Sequence, residues 1–151
     1  MSIDARLTEL GLTLPDAPAP AANYVPHVQS GNLLFVSGQI SAGPDGLIRG
    51  RLGADMDVAA GAAAARACGL ALLAQARAAA GSLDRIARVV KLTGFVASTP
   101  EFTDQPEVIN GCSDLMVEVF GDRGRHARAA VSAAALPRGV AVEIEAIFEL
   151  G

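Results

Sequence analysis

The chain has 151 residues, enough for one domain with a sizeable core. Hydrophobic residues make up 51% and charged residues 19%, which excludes a disordered chain. A net charge of −4 with no basic tract argues against nucleic acid as the main partner.

In chain order, the opening MSIDARLTEL carries acidic groups and no long apolar core, unlike a signal peptide. Ile3 to Leu10 is expected to form a short helix capped by Ser2. LPDAPAPAANYVP, residues 14–26, holds four prolines and predicts an extended connector. NLLFVSGQI, residues 32–40, predicts a buried strand. AGPDG, residues 42–46, predicts a turn, and Leu47 to Leu52 a second strand completing a hairpin. Asp55 or Asp57 opens a long helix reaching about Ala80 and ended by Gly81. Alanine favours that helix, and Gly61 and Gly69 allow close packing. Arg66, Gln75 and Arg77 interrupt it, so no membrane span is expected, and the expected location is the cytoplasm.

RIARVVKLTGFVAS, residues 85–98, predicts a valine-rich strand. A second helix begins near Pro106 and runs to about Phe120, where GDRG breaks the chain. HARAAVSAAALP and VAVEIEAIFEL are the last two expected strands, with Pro137, Arg138 and Gly139 between them. The simplest packing is one mixed sheet with two helices on one face, an α+β fold with a short N-terminal helix. The other face then needs a cover, and an open apolar face would be an association surface. The absence of Trp and the small apolar side chains also suggest surface buried between subunits.

HARAAV sets a guanidinium inside a run of small apolar residues. If that segment is buried, Arg128 needs a carboxylate, from the protein or from a ligand. The rest of the basic cluster, Arg123, Arg125 and His126, reads as a solvated turn, with a phosphate patch as the alternative. The last strand alternates, with Val140, Val142, Ile144, Ala146, Phe148 and Leu150 on one side. Glu143, Glu145, Ile147 and Glu149 take the other. These acids form either a solvated edge or a site where one glutamate activates water. Either Glu143 or Glu145 could pair with Arg128 if their strands are neighbours. Ser37, just before Gly38, could turn its hydroxyl into a pocket, but it lacks the GxSxG nucleophile pattern. His27 and His126 lie far apart, and Cys68 and Cys112 form no CxxC pair. No metal site is expected, and the cysteines read as reduced core thiols. No phosphate-loop or dinucleotide glycine pattern is present.

GNLLFVSGQI, Asn110 in VINGCSDL, ARAAV and LPRGVAVEIEAI occur in that order. Together they resemble the RidA/YjgF family of reactive-intermediate imine deaminases, formerly called L-PSP endoribonucleases. The likeness runs from about Asn32 to Leu150, and the closing LP…VEIEAI block is its most specific part. It implies a chorismate-mutase-like fold within one domain, with residues 1–31 as an N-terminal extension and 32–150 as the core. It implies a homotrimer whose sheets line a central barrel, with sites in the clefts between subunits. The implied reaction is hydrolysis of 2-imino or 2-enamino acids to 2-keto acids and ammonia, without cofactor or metal.

By the same resemblance, Arg128 holds the substrate carboxylate, for which its planar fork of donors is suited. Glu143 positions water. Ser37, Gly38 and Asn110 shape the pocket, and Tyr24 stands in the region of the family's pocket tyrosine. The chain departs from the pattern at Ala129 and Ala130, where many members carry a hydroxyl residue and then often cysteine. The N-terminal helix and proline-rich connector are additions to the compact members, which suggests a divergent subgroup. A non-catalytic ligand-binding or regulatory trimer is the alternative reading. RNA cleavage is disfavoured, since no basic-aromatic surface is present.

Overall fold

The computed structural model describes residues 2–17 and 23–151. Its elements are α1 (Ile3–Glu9), β1 (His27–Ser30), β2 (Leu33–Ile40), β3 (Ala42–Gly43), β4 (Gly46–Leu47), α2 (Val58–Ala80), β5 (Ile86–Ala97), α3 (Gln105–Phe120), β6 (Ala127–Ala133) and β7 (Val142–Leu150). Five strands form one sheet in the order β1-β2-β7-β5-β6, and β3 and β4 form a separate ribbon. In the main sheet only β5 and β6 pair in parallel. Because β2 and β5 both run antiparallel to β7, they are parallel to each other. The β2-to-β5 and β5-to-β6 connections therefore both need crossovers, and α2 and α3 supply them. α2 lies over β2 and β7, and α3 over β5 and β6. The fold is thus α+β with a mixed sheet and two helices on one face.

Local sequence explains the elements. Asp57 caps α2 by accepting the Ala60 N–H at 2.9 Å, and Gly81 closes it in the left-handed conformation at φ 85°. Small residues let α2 and α3 approach closely: a Cβ at Gly111 would collide with the Ala62 carbonyl. α2 is long and apolar enough, by length and composition, to cross a membrane, but 56% of its most apolar window is buried inside this fold. The sheet buries Leu34, Val36, Leu92, Val96, Ile144 and Phe148 beneath the helices. Cys68 of α2 and Cys112 of α3 are buried free thiols. Burial pushes both thiols up, Cys112 to about 12, so neither is a ready nucleophile.

α1 is docked, with Ile3 and Leu7 buried. Arg6 Nε donates to the Glu118 carbonyl of α3 at 2.9 Å, and the Ile3 N–H donates to Asp84 Oδ1 at 2.7 Å. Within the proline-rich connector, residues 18–22 lie outside the described residues.

Three expectations change. The sheet starts before residue 32, because His27–Ser30 pairs with β2 and forms an edge. The expected hairpin between residues 32–40 and 47–52 does not form. β7 takes one side of β2 and β1 the other up to Val36, and beyond Ile40 the chain turns away through the β3–β4 ribbon. Residues 47–52 instead cross the end of the sheet, bridging Arg49 to Val140 and Leu52 to Ser98. The segment around Arg128 is not buried in the single chain, since β6 is an edge strand with Ala127, Val131 and Ser132 exposed.

Among the described residues, the sheet face opposite the helices carries no layer of its own. Strand register puts Phe35, Ile147, Lys91 and Ala127 on that face, together with Phe95, Val131, Thr93 and Glu145. Val28, Phe35 and Val131 are among its half-exposed apolar residues.

Candidate functional site

The six expected site residues fall into two groups. Tyr24, Ser37, Gly38 and Glu143 line one cavity of about 850 Å³. It opens beside the Ser37–Ile40 end of β2, where pairing with β1 has stopped. A register shift between Val36 and Gln39 puts an extra residue into β2 here. The resulting bulge is the SG step of the sequence.

Gly38 marks a close approach. A Cβ at that position would overlap the Glu143 carboxylate. The bare glycine lets the carboxylate of β7 lie across β2 and reach the cavity. Glu143 is partly buried, and its carboxyl is raised above the usual carboxylate range. Burial is the larger cause, and the like charge of Glu145 adds to it. Ser37 ties the strand to the chain that carries Tyr24. Its hydroxyl donates to the Val25 carbonyl at 2.9 Å and its N–H to the Pro26 carbonyl at 2.9 Å. Tyr24 is about half exposed at the rim.

The second group is built between β6 and α3. Arg128 faces the helix side, because its register partner Leu92 is buried there. Arg128 Nη1 donates to Asn110 Oδ1 at 2.8 Å and to Ser113 Oγ at 3.1 Å. Asn110 and Ser113 are three residues apart, so α3 presents both on one face. Ser113 Oγ also meets His126 Nε2 at 2.9 Å, and His126 Nδ1 meets the Gly124 carbonyl at 2.6 Å. That carbonyl can only accept, so Nδ1 carries the proton, and Nε2 of the neutral ring accepts from Ser113. Burial holds the His126 pKa below its usual value, and the nearby Arg128 charge lowers it further. The result is a directed chain from Arg128 through Ser113 and His126 to backbone. It fixes one edge of the guanidinium. Among the described residues, Nε and Nη2 of Arg128 have no hydrogen-bond partner and no carboxylate pairs with it.

The expected pairing of Arg128 with Glu143 or Glu145 does not occur, because β5 lies between β6 and β7. Arg128 and Glu143 sit two strands and three residues apart, on opposite faces of the sheet. That is roughly 14 Å between backbone positions. The arginine is neither buried nor matched by an internal carboxylate. The other basic residues are dispersed: Arg125 pairs with Asp122, and Arg123 donates to the Ile86 carbonyl. His27 and His126 lie at opposite edges of the sheet.

Sequence reasoning missed Ser113, the apolar cavity walls and Arg138, which stands at the cavity in the left-handed conformation at φ 59°. The spacing of three between Asn110 and Ser113 was a usable signal. The cavity walls had none, because they join Thr13–Pro15, β2, the ribbon and α2.

Residues 4–148 match the family model described as "YjgF/chorismate mutase-like, putative endoribonuclease". The chain is 53% identical over 150 residues to Protein TCP17 of Trypanosoma cruzi, covering 98% of this chain and 94% of that one. A Shewanella oneidensis structure that carries the same endoribonuclease description aligns with TM-score 0.95 and 34% identity, over 99% of this chain and all of that one. RidA from an Antarctic Psychrobacter aligns with TM-score 0.61 and 30% identity, over 89% of this chain and 94% of that one.

Proposed function

Because the chain belongs to the YjgF/RidA family, we propose that it hydrolyses 2-imino and 2-enamino acids to 2-keto acids and ammonia. The observation that carries this reading is a pair of complementary half-sites. One holds a carboxylate of raised pKa at a cavity. The other holds a guanidinium with one edge fixed and the rest available to an anion. An α-imino acid needs both: a cation for its carboxylate and a base for the water that attacks the adjacent carbon.

In this reaction Glu143 takes a proton from water as oxygen bonds to the imine carbon. Glu143 returns that proton to nitrogen, accepts the hydroxyl proton of the adduct as the C–N bond breaks, and passes it to the departing ammonia. Ammonia leaves and the keto acid remains, with Glu143 again ionised. The protonated imine is already electrophilic, so placement of water and carboxylate supplies most of the needed advantage.

A small imino acid cannot bridge the two half-sites of one chain. The site is therefore completed by a second copy, whose Arg128 group meets the Glu143 cavity of the first. A cyclic homotrimer satisfies this head-to-tail arrangement with every site filled and covers the open sheet face. The alanines that depart from the family pattern fit this reading. Ala129 belongs to the open face and Ala130 packs toward the core, so neither removes a group that holds Arg128 within its own chain. RNA cleavage fits poorly with a net charge of −4.

The test is a trapping assay. An amino-acid oxidase generates the imine, semicarbazide traps it, and purified protein is added. Suppressed trapping supports the deaminase. Unchanged trapping together with keto-acid binding favours a regulatory ligand-binding trimer.

Two smaller effects follow. Gly38→Ala should lower kcat/KM about tenfold or more by displacing the Glu143 carboxylate, which steady-state kinetics would show; a change of this kind near 1 Å can cost more. Glu145→Gln removes the like charge that helps raise Glu143. The acid limb of the pH–rate profile should then move to lower pH, with the plateau retained.

A further inference from the structure

We infer that the cavity beside Glu143 receives the substrate's side chain and selects bulky apolar ones, branched-aliphatic or aromatic, over the shortest 2-imino acids. The inference rests on the deaminase reading of the same site, since it places the reacting carbon at Glu143. At about 850 Å³ the cavity is large for a three-carbon acid and lies in the range that accommodates drug-sized ligands. Its walls include Leu14, Pro15, Ile40, Leu47, Leu70 and Ala71. The two glutamines that also reach it, Gln39 and Gln75, are buried and turned on each other. Gln75 Nε2 donates to Gln39 Oε1 at 3.5 Å, and Gln39 Nε2 donates to the Ser37 carbonyl at 2.9 Å. The other polar residues of the lining are Thr13, Tyr24 and Arg138 and, together on β2 and β7, Ser37 and Glu143. A ligand held there by its α-carbon sends its side chain into apolar surroundings.

Part of this wall is contributed by Thr13, Leu14 and Pro15, which follow the docked α1 helix. The N-terminal segment thus deepens a pocket that the sheet and α2 alone would leave shallower, and it gives the docking of α1 a consequence for specificity.

The experiment measures binding of 2-keto acids, the reaction products, so that it reads side-chain preference without turnover. Pyruvate, 2-oxobutanoate and 4-methyl-2-oxopentanoate are titrated by calorimetry. The emission of Tyr24 is followed in parallel, since it is the sole tyrosine in a chain without tryptophan. Each buried methylene should tighten binding about 4-fold, making 4-methyl-2-oxopentanoate on the order of 50-fold tighter than pyruvate. Ala67→Phe fills the cavity from α2 and should pull that ratio toward one. Equal or tighter binding of pyruvate by the wild-type protein overturns the inference, as does no binding of any keto acid. An unchanged ratio in a folded Ala67→Phe protein overturns it too. If the longer acid binds preferentially but no imine is hydrolysed, the cavity assignment stands and the catalytic reading fails.

Discussion

Arg128→Ala is expected to lower kcat/KM for 2-imino acid hydrolysis by about 100-fold or more. Truncating one partner of a hydrogen-bonded charge pair costs about 2–5 kcal/mol, equivalent to roughly 30- to 5,000-fold. The loss should be near this range because the substrate carboxylate would be left without its fork of donors. Arg128→Lys should rescue little. A lysine has one ammonium point and cannot both satisfy Asn110 and Ser113 and present two parallel donors. The fold should survive the change, since Arg128 lies on an edge strand and makes no ion pair among the described residues. Steady-state kinetics beside thermal melting separates these effects. Arg128→Ala with wild-type kinetics would remove the anion-anchor role.

Glu143→Gln is expected to lower kcat by about 10²–10⁴-fold, the usual contribution of a positioned base. Keto-acid binding should persist, because glutamine keeps the shape and loses only the charge and basicity. The wild-type rate should fall as pH drops through the raised Glu143 pKa, and the variant should lack that limb. The stability consequence runs the other way. A carboxyl raised in the folded state adds stability below its unfolded pKa, and that contribution is lost as pH rises through the folded pKa. At neutral pH ionised Glu143 is therefore a liability to the fold. Glu143→Gln should melt at the same temperature as wild type or slightly higher while activity collapses. A large drop in melting temperature would mark Glu143 as structural instead.

Much of this arrangement was legible in the sequence. The alternation of VAVEIEAIFEL assigned Val142, Ile144, Ala146 and Phe148 to the core and Glu143 to the other face, and the burial pattern agrees. Alternation is a local property, fixed by the two-residue repeat of a strand. Asp57, Gly81 and Pro106 marked the helix ends for equally local reasons. Strand order is not local. HARAAV and VEIEAI are close in sequence, yet β5 inserts between them, so Arg128 and Glu143 part company. Composition also misled at Arg128. Small apolar residues look the same whether they face a core or a bare sheet edge. For the glycine of the SG step, the resemblance alone implies a place in the pocket. Its physical reason, the passage of a carboxylate over a position with no Cβ, needed coordinates.

The most direct measurement combines the two damaging variants. Arg128→Ala and Glu143→Gln subunits are co-expressed with different tags, the mixed oligomers are isolated, and imine hydrolysis is assayed. If each site joins Glu143 of one copy to Arg128 of the next, an Arg128→Ala subunit still offers an intact carboxylate. A Glu143→Gln subunit still offers an intact guanidinium. In a closed ring of three, each mixed oligomer then holds one intact site and restores about one third of wild-type activity, from two proteins that are each nearly inactive alone. Mixed oligomers no more active than the separate variants would contradict a site shared between copies.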